Sequence, residues 1–221
     1  MTRLDPDKER IARRVAREIR AGSLVNLGIG LPTLVASFIP PDFGVLFHTE
    51  NGLIGVGPRP EAGQANPNLV DAGGSPVTAV PGAAAFDAAL SFGLIRGGHL
   101  DLTVLGGLQV DSQGRLANWM VPGKIVPGMG GAMDLVSGAK RVIVAMAHSA
   151  NGQPKIVNAC TYPLTSIRPV SLIVTDLAVI EPTREGLLLR ERAPSVSVER
   201  IIQETGTELI IPDNVPEMEL G

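Results

Sequence analysis

The sequence predicts an α/β fold: a mainly parallel open sheet flanked by helices, in one domain over residues 1–221. Three observations lead there. Short apolar runs of β character recur at Leu24–Leu27, Val45–His48, Val77–Val80, Leu102–Leu105, Arg141–Met146 and Ser171–Thr175. Helical stretches, Thr33–Ile39 after Pro32 and Ala83–Ile95, fall between several of them, and such alternation builds parallel sheets. The chain's 26 glycines and 18 prolines, about a fifth of its 221 residues, stay below the share typical of disordered chains. Hydrophobic residues at 44% supply a core, and five Phe, one Trp and one Tyr make that core aliphatic.

Taken in order, Asp5-Pro6 reads as the cap and first residue of a helix. Ile11, Val15 and Ile19 repeat along one of its faces, and Gly22 is expected to stop it. Arg10, Arg13, Arg14, Arg17 and Arg20 form a basic stripe on the other faces, read as a solvated surface. The strands and helices named above follow. In the tail, Leu177–Glu181 and Leu187–Arg192 flank Pro182-Thr183-Arg184-Glu185-Gly186 as a hairpin. Ser197–Thr205 is the last helix and Glu208–Ile211 the last strand. Neither an internal repeat nor a low-complexity linker is present.

Composition also excludes functions. A net charge of −3 supplies no basic field for nucleic acid, and seven scattered aromatics make no base-stacking platform. A lone cysteine, Cys160, leaves no internal disulfide and fits a reducing compartment. The three histidines, His48, His99 and His148, lie about fifty residues apart without metal-ligand spacing, so no metal site is expected. Ala21–Pro41 carries no charge, but its three prolines, three glycines and four polar side chains do not suit a membrane span. The first twenty residues alternate acids and bases, unlike a signal peptide. A cytoplasmic protein is expected, with neither membrane nor nucleic acid as partner.

Four segments can carry chemistry. In His48-Thr49-Glu50-Asn51-Gly52 an apolar strand runs straight into a carboxylate. The spacing alone favours a hairpin turn with an exposed glutamate, the other reading being a nucleophilic glutamate presented at the carboxyl end of a strand. Asn26-Leu27-Gly28-Ile29-Gly30-Leu31-Pro32 is strand, glycine turn and helix start, either plain punctuation or an anion-holding junction; Thr33 breaks the dinucleotide pattern. Gly123 to Asp134 places Gly128, Gly130 and Gly131 before a helix, where a ligand can approach backbone closely or the chain simply turns. No P-loop is present there, and Lys124 reads as solvated or as a phosphate contact. His99 and Asp101 lack a serine elbow, so His99 reads as a hydrogen-bonded structural histidine. Cys160, His48 and His148 read as packing residues.

Together these segments resemble the B half of the 3-oxoacid CoA-transferases, the succinyl-CoA:3-ketoacid type of class I CoA-transferase. The resemblance runs from Asn26–Pro32 through Thr49-Glu50-Asn51-Gly52, Pro81-Gly82-Ala83 and Ile95–His99. It continues through Leu116–Lys124 to Gly128-Met129-Gly130-Gly131-Ala132-Met133-Asp134-Leu135-Val136. It implies that Glu50 is the nucleophile that forms a glutamyl-CoA thioester. Asn26, Asn51 and Gly52 would support the oxyanions, and the loop of Gly128, Gly130 and Gly131 would face CoA. It further implies CoA thioesters as substrates, no permanently bound cofactor, and a complementary A half in an AB or A2B2-like assembly, inactive as B alone. Donors would be succinyl-CoA or acetyl-CoA. Acceptors would be acetoacetate, 3-oxoadipate or a short fatty acid. Ala84, Ala85 and Leu90 depart from the family pattern, leaving the nucleophile intact but bearing on the acyl pocket. Two other readings stand beside it: a non-catalytic CoA- or acyl-binding regulatory subunit, and a sugar-phosphate isomerase, which lacks an evident acid/base pair.

Overall fold

A computed structural model describes residues 4–123 and 128–221. Helix α1 (Pro6–Ala16) opens as the sequence predicts. The Asp5 carboxylate accepts the Asp7 N–H at 3.0 Å, and Pro6 stands in the first turn, where its missing donor costs nothing. Ile11, Ala12, Val15 and Ala16 form the buried face. The helix ends at Ala16 and not at Gly22, because the N–H groups of Glu18 and Ile19 turn back in tighter bonds to Val15 and Ala16. Gly22, at φ 71°, serves the next turn and donates to the Phe43 carbonyl.

The basic stripe corrects its reading as a solvated surface. Arg14 is 7% exposed, with Nε and Nη2 on the Glu191 carboxylate at 2.6 and 2.7 Å and Nη1 on Glu18 at 2.9 Å. Arg10 pairs with Asp7, Arg13 with Glu9 and the face of Phe38, and Arg17 with Glu219. Among the described residues, four of the five arginines are thus ion-paired, with carboxylates of the helix and its following turn (Asp7, Glu9, Glu18), of β14 (Glu191) and of the C-terminal segment (Glu219).

The remaining elements run β1 (Leu24–Leu27), a 3₁₀-helix (Leu31–Phe38), β2 (Leu46–Thr49), β3 (Leu53–Val56), β4 (Ala79–Ala85) and α2 (Ala88–Arg96). Then come β5 (Leu102–Leu105), β6 (Gln109–Asp111), β7 (Leu116–Ala117), α3 (Ala132–Gly138) and β8 (Arg141–Ala145). Three short strands follow: β9 (Ser149–Ala150), β10 (Gln153–Pro154) and β11 (Ile156–Val157). The tail contains β12 (Leu172–Val174), β13 (Ala178–Pro182), β14 (Leu187–Arg192), α4 (Val198–Glu204) and β15 (Leu209–Ile210). The helix expected over Ala83–Ile95 starts only at Ala88. Ala84 and Ala85 instead pair with Ile54 and Leu53, so the ladder overrides alanine's helix preference, and Asp87 caps α2 by accepting the Leu90 N–H at 2.8 Å.

Ten strands join one sheet in the order β15-β14-β13-β12-β8-β5-β1-β2-β3-β4. The five from β12 to β2 are parallel neighbours. Antiparallel pairs extend both ends: β2–β3–β4 on one side and the expected β13–β14 hairpin on the other. Every residue of β5 is buried, as are Val142–Ala145 of β8 and all of β12; covered parallel strands require such continuous apolar runs. The core is accordingly Ile, Leu, Val and Ala. No described helix is long and apolar enough to cross a membrane.

Candidate active site

Strand register assembles the site. Asn26, at 0% exposure on β1, lies opposite His48 of β2 and Thr103 of β5. A buried amide needs partners, and Asn26 finds them on both sides. Its Oδ1 accepts from Thr103 Oγ1 at 3.2 Å, and its Nδ2 faces the His48 carbonyl at 3.3 Å and Glu50 Oε2 at 3.2 Å. Nδ2 also lies 3.4 Å from His48 Nδ1, and His48 Nε2 meets Ser91 Oγ of α2 at 2.9 Å. Burial pushes the His48 pKa down to about 4, so the ring is neutral near pH 7 and adds no cation beside Glu50.

Glu50 leaves the carboxyl end of β2 on a tightly specified turn. The Gly52 N–H bonds to the Thr49 carbonyl at 3.0 Å, and the Phe86 N–H to the Gly52 carbonyl at 2.9 Å. Gly52 stands at φ 117°, and a Cβ there would fall 2.0 Å from the Phe86 oxygen, so no other residue fits without moving the backbone. Asn51 turns away from Glu50. Its Oδ1 accepts from Thr49 Oγ1 at 2.8 Å and its Nδ2 donates to the Val70 carbonyl at 2.8 Å, bracing the neighbouring loop. From the opposite side comes the segment before α3. A Cβ on Gly131 would lie 3.0 Å from Glu50 Cγ and 3.3 Å from Oε1, so the carboxylate arm rests directly on that backbone. Gly128 and Gly130 hold φ values of 112° and 52°, and a Cβ on either would meet only open space within 4 Å.

The structure thus brings together Glu50, Asn26, Gly52 and Gly131. It does not place Asn51 on the carboxylate, nor Gly128 or Gly130 in contact with it. Lys124 lies outside the described residues. The sequence reading missed the polar chain Thr103–Asn26–His48–Ser91. Its one signal was a polar side chain inside each of two apolar strands, Asn26 in Leu24–Leu27 and Thr103 in Leu102–Leu105. His99 is exposed, and its ring makes no hydrogen bond among the described residues, which corrects its reading as a bonded structural histidine. Asp101 is taken up by Lys140 at 2.7 Å and the Leu24 N–H at 2.9 Å, and it serves no triad. Burial raises the Cys160 thiol to about 11, so it holds no reactive thiolate near pH 7. Ala84, Ala85 and Leu90 are all exposed.

A half-buried carboxylate, aimed by an amide donor and laid against glycine backbone at the end of a parallel strand, suits nucleophilic attack on an acyl group. The chain is 51% identical over 216 residues to the beta subunit of the acetate CoA-transferase of Haemophilus influenzae, covering 97% of this chain and 96% of that one. It is 46% identical over 202 residues to the B subunit of the succinyl-CoA:3-ketoacid coenzyme A transferase of Helicobacter pylori, covering 91% and 97%. In fold it matches an acyl-CoA transferase of Escherichia coli O157:H7 with a TM-score of 0.75 at 24% identity, over 99% of this chain and 45% of that longer one. The family described as Coenzyme A transferase matches residues 8–204, and with that match the sequence motifs, the fold and the relatives converge: the chain belongs to the coenzyme A transferase family.

Proposed function

We propose that this chain is the catalytic B-type subunit of a CoA-transferase, moving CoA from an acyl-CoA donor to a short carboxylic acid through a thioester on Glu50. The observation that carries the reading is the Glu50 carboxylate at the end of β2, held by Asn26 Nδ2 at 3.2 Å and resting on Gly131. The carboxylate attacks the thioester carbonyl of the donor, giving a mixed anhydride and CoA thiolate. The thiolate then attacks the glutamyl carbonyl, releasing the donor acid and leaving Glu50 as its CoA thioester. The acceptor carboxylate repeats both steps in reverse, returning Glu50 as a carboxylate. No proton is transferred, so neutral His48 and the missing triad fit the chemistry. What the two tetrahedral oxyanions need is N–H donors, which Asn26 and the backbone around Gly131 supply.

The names of the relatives favour acetate and 3-oxo acids as acceptors and succinyl-CoA as a donor. Those relatives are named as the beta or B member of a larger enzyme, which supports a complementary A-type subunit in an AB or A2B2-like assembly. The same reading gives one domain, a cytoplasmic setting and no resident cofactor. The test uses the assembled enzyme. Borohydride added after succinyl-CoA should reduce the thioester and mark Glu50, and this chain without its A-type partner should exchange nothing. Glu50→Gln should lower turnover by about four orders of magnitude or more, as loss of a covalent nucleophile does. Binding of acyl-CoA without isotope exchange between thioester and free acid would instead favour a regulatory role.

A further inference from the structure

The parallel strands carry a topological switch. From β1 the chain moves outward to β2 on one side, then returns to the other side of β1 for β5 and continues outward to β8 and β12. The loops leaving β1 and β5 therefore part in opposite directions, and open α/β sheets bind ligands in the crevice this creates. A crevice of about 350 Å³ opens there, between Ile29 and Leu31 after β1, Gly106 and Gly107 after β5, and Met146 after β8. Gly107 lets β5's end pack closely on the core, since a Cβ there would come within 2.7 Å of Met146 Sδ and 2.8 Å of Val144 Cγ1. The segment after β1 links the crevice to the elements of the Glu50 site. Asn26 stands two residues before Gly28, and Ile29 packs on Gly73 of the loop whose Ala72 N–H binds Thr49 Oγ1.

Two lysines line the crevice without an ion pair or hydrogen bond among the described residues, Lys8, which is exposed, and Lys155, which is half-buried. Lys155 lines it from the connection between β10 and β11, with its backbone pinned on both sides. Its N–H donates to the His148 carbonyl at 3.0 Å, and its carbonyl accepts the Val110 N–H at 2.9 Å. The half-buried ammonium makes no ion pair or hydrogen bond among the described residues. The three carboxylates around the crevice are already engaged: Asp5 caps α1, Asp7 pairs with Arg10, and Asp176 accepts the His148 N–H at 2.7 Å. Burial pulls the Lys155 pKa below the usual lysine range while Asp176 acts in the opposite sense. A cation partly withdrawn from water, on a fixed backbone and without a partner, is stabilised by an anion that enters from outside.

We propose that Lys155 is the anion-binding residue of a substrate subsite at this switch point. It holds the negatively charged oxygens of the substrate while the apolar walls take the adjoining carbon chain. The inference rests on the transferase reading and adds to it a binding residue distant in sequence from every motif of the Glu50 site. Three parts of the substrates carry such oxygens: the phosphates of the CoA thioester, the free carboxylate of a succinyl donor and the carboxylate of the acceptor acid.

The experiment is steady-state kinetics of the assembled enzyme with succinyl-CoA as donor and acetate or acetoacetate as acceptor, comparing wild type, Lys155→Met and Lys155→Arg. Lys155→Met should raise one KM by roughly 10- to 100-fold, the worth of a charge-assisted hydrogen bond, with kcat within about twofold. Lys155→Arg should recover most of that loss. A rise confined to the donor that persists when acetyl-CoA replaces succinyl-CoA assigns the CoA phosphates, one that disappears with acetyl-CoA assigns the succinyl carboxylate, and a rise confined to the acceptor assigns the acid's carboxylate. Unchanged KM values overturn the proposal. So does a fall in kcat alone that Lys155→Arg fails to rescue, since that marks a structural role. Borohydride marking of Glu50 in the wild-type enzyme reads the transferase mechanism separately, so the two ideas fail by different results.

Discussion

A methyl group at residue 131 would touch the candidate nucleophile without straining the backbone that carries it. Gly131 has φ −85°, which any residue adopts, and its added Cβ would meet the Glu50 side chain at 3.0 Å. Gly52 is the opposite case, at φ 117° with its Cβ 2.0 Å from a backbone oxygen that cannot step aside. Gly131→Ala should therefore keep stability within about 1 kcal/mol in urea unfolding. It should still lower kcat/KM by about 10- to 100-fold, because Glu50 must swing off its aimed position. Gly52→Ala should cost at least about 3 kcal/mol of stability. Equal losses of stability in the two variants would refute the assignment of Gly131 to the Glu50 contact. Glu50 and Asn26 were singled out through the resemblance of Thr49–Gly52 and Asn26–Pro32 to the motifs of the family, whereas spacing alone favoured a plain turn and plain punctuation there. The places of His48 and Thr103 were not legible, since only the pairing of β1 with both β2 and β5 sets them beside Asn26.

At the scale of elements, His148 joins three that are remote in sequence. It follows β8, its Nδ1 meets Thr175 Oγ1 after β12 at 2.9 Å, and its Nε2 meets Thr205 Oγ1 at the end of α4 at 2.9 Å. Both hydroxyls are tied to backbone as well, Thr205 Oγ1 donating to the Ile201 carbonyl at 2.7 Å and Thr175 Oγ1 lying 3.1 Å from the Ala178 carbonyl while accepting the Ala178 N–H at 2.9 Å. The ring is held neutral, and burial lowers its pKa from 6.5 to about 4. A depressed histidine is protonated more readily in the unfolded chain. Its contribution to stability is thus complete above about pH 6.5 and is lost as the pH falls toward 4, on the order of 3 kcal/mol in all. Urea midpoints measured from pH 7 to pH 4.5 should fall more steeply for the wild type than for His148→Gln, which cannot be protonated. Parallel curves would show that the junction does not depend on a neutral ring. The sequence revealed the helices and strands this residue connects, through their apolar periodicity and the Ser197 cap. The boundary it missed, at Ala83–Ala85, lies where cross-strand pairing with β3 outweighs local preference.

Across the whole molecule, alternation along the chain announced a parallel sheet, but the order of its strands depends on pairings far apart in sequence. Nothing local says that β5 returns to the far side of β1, so the switch-point crevice was not legible. The same distance hid the role of Arg14. Its guanidinium meets Glu191, 177 residues away, at 2.6 and 2.7 Å, and shares Glu18 with Arg141. This network fastens the first helix to the C-terminal hairpin across one face of the sheet. Removing one member of a buried ion pair costs about 3–5 kcal/mol, because the other charge stays behind. Here Glu191 and Glu18 keep 22% and 20% of their side chains exposed, and Glu18 retains Arg141. Arg14→Met should accordingly destabilise the protein by about 2–3 kcal/mol in urea unfolding, somewhat under the range for a fully buried pair. Adding Glu191→Leu should restore most of that loss, since it removes the stranded carboxylate and offers an apolar contact. Borohydride marking of Glu50 in the assembled enzyme should persist in both variants well below their melting temperatures, the network being remote from β2. A loss under about 0.5 kcal/mol for Arg14→Met would show instead that the pair is solvated and that apolar packing alone holds α1 in place.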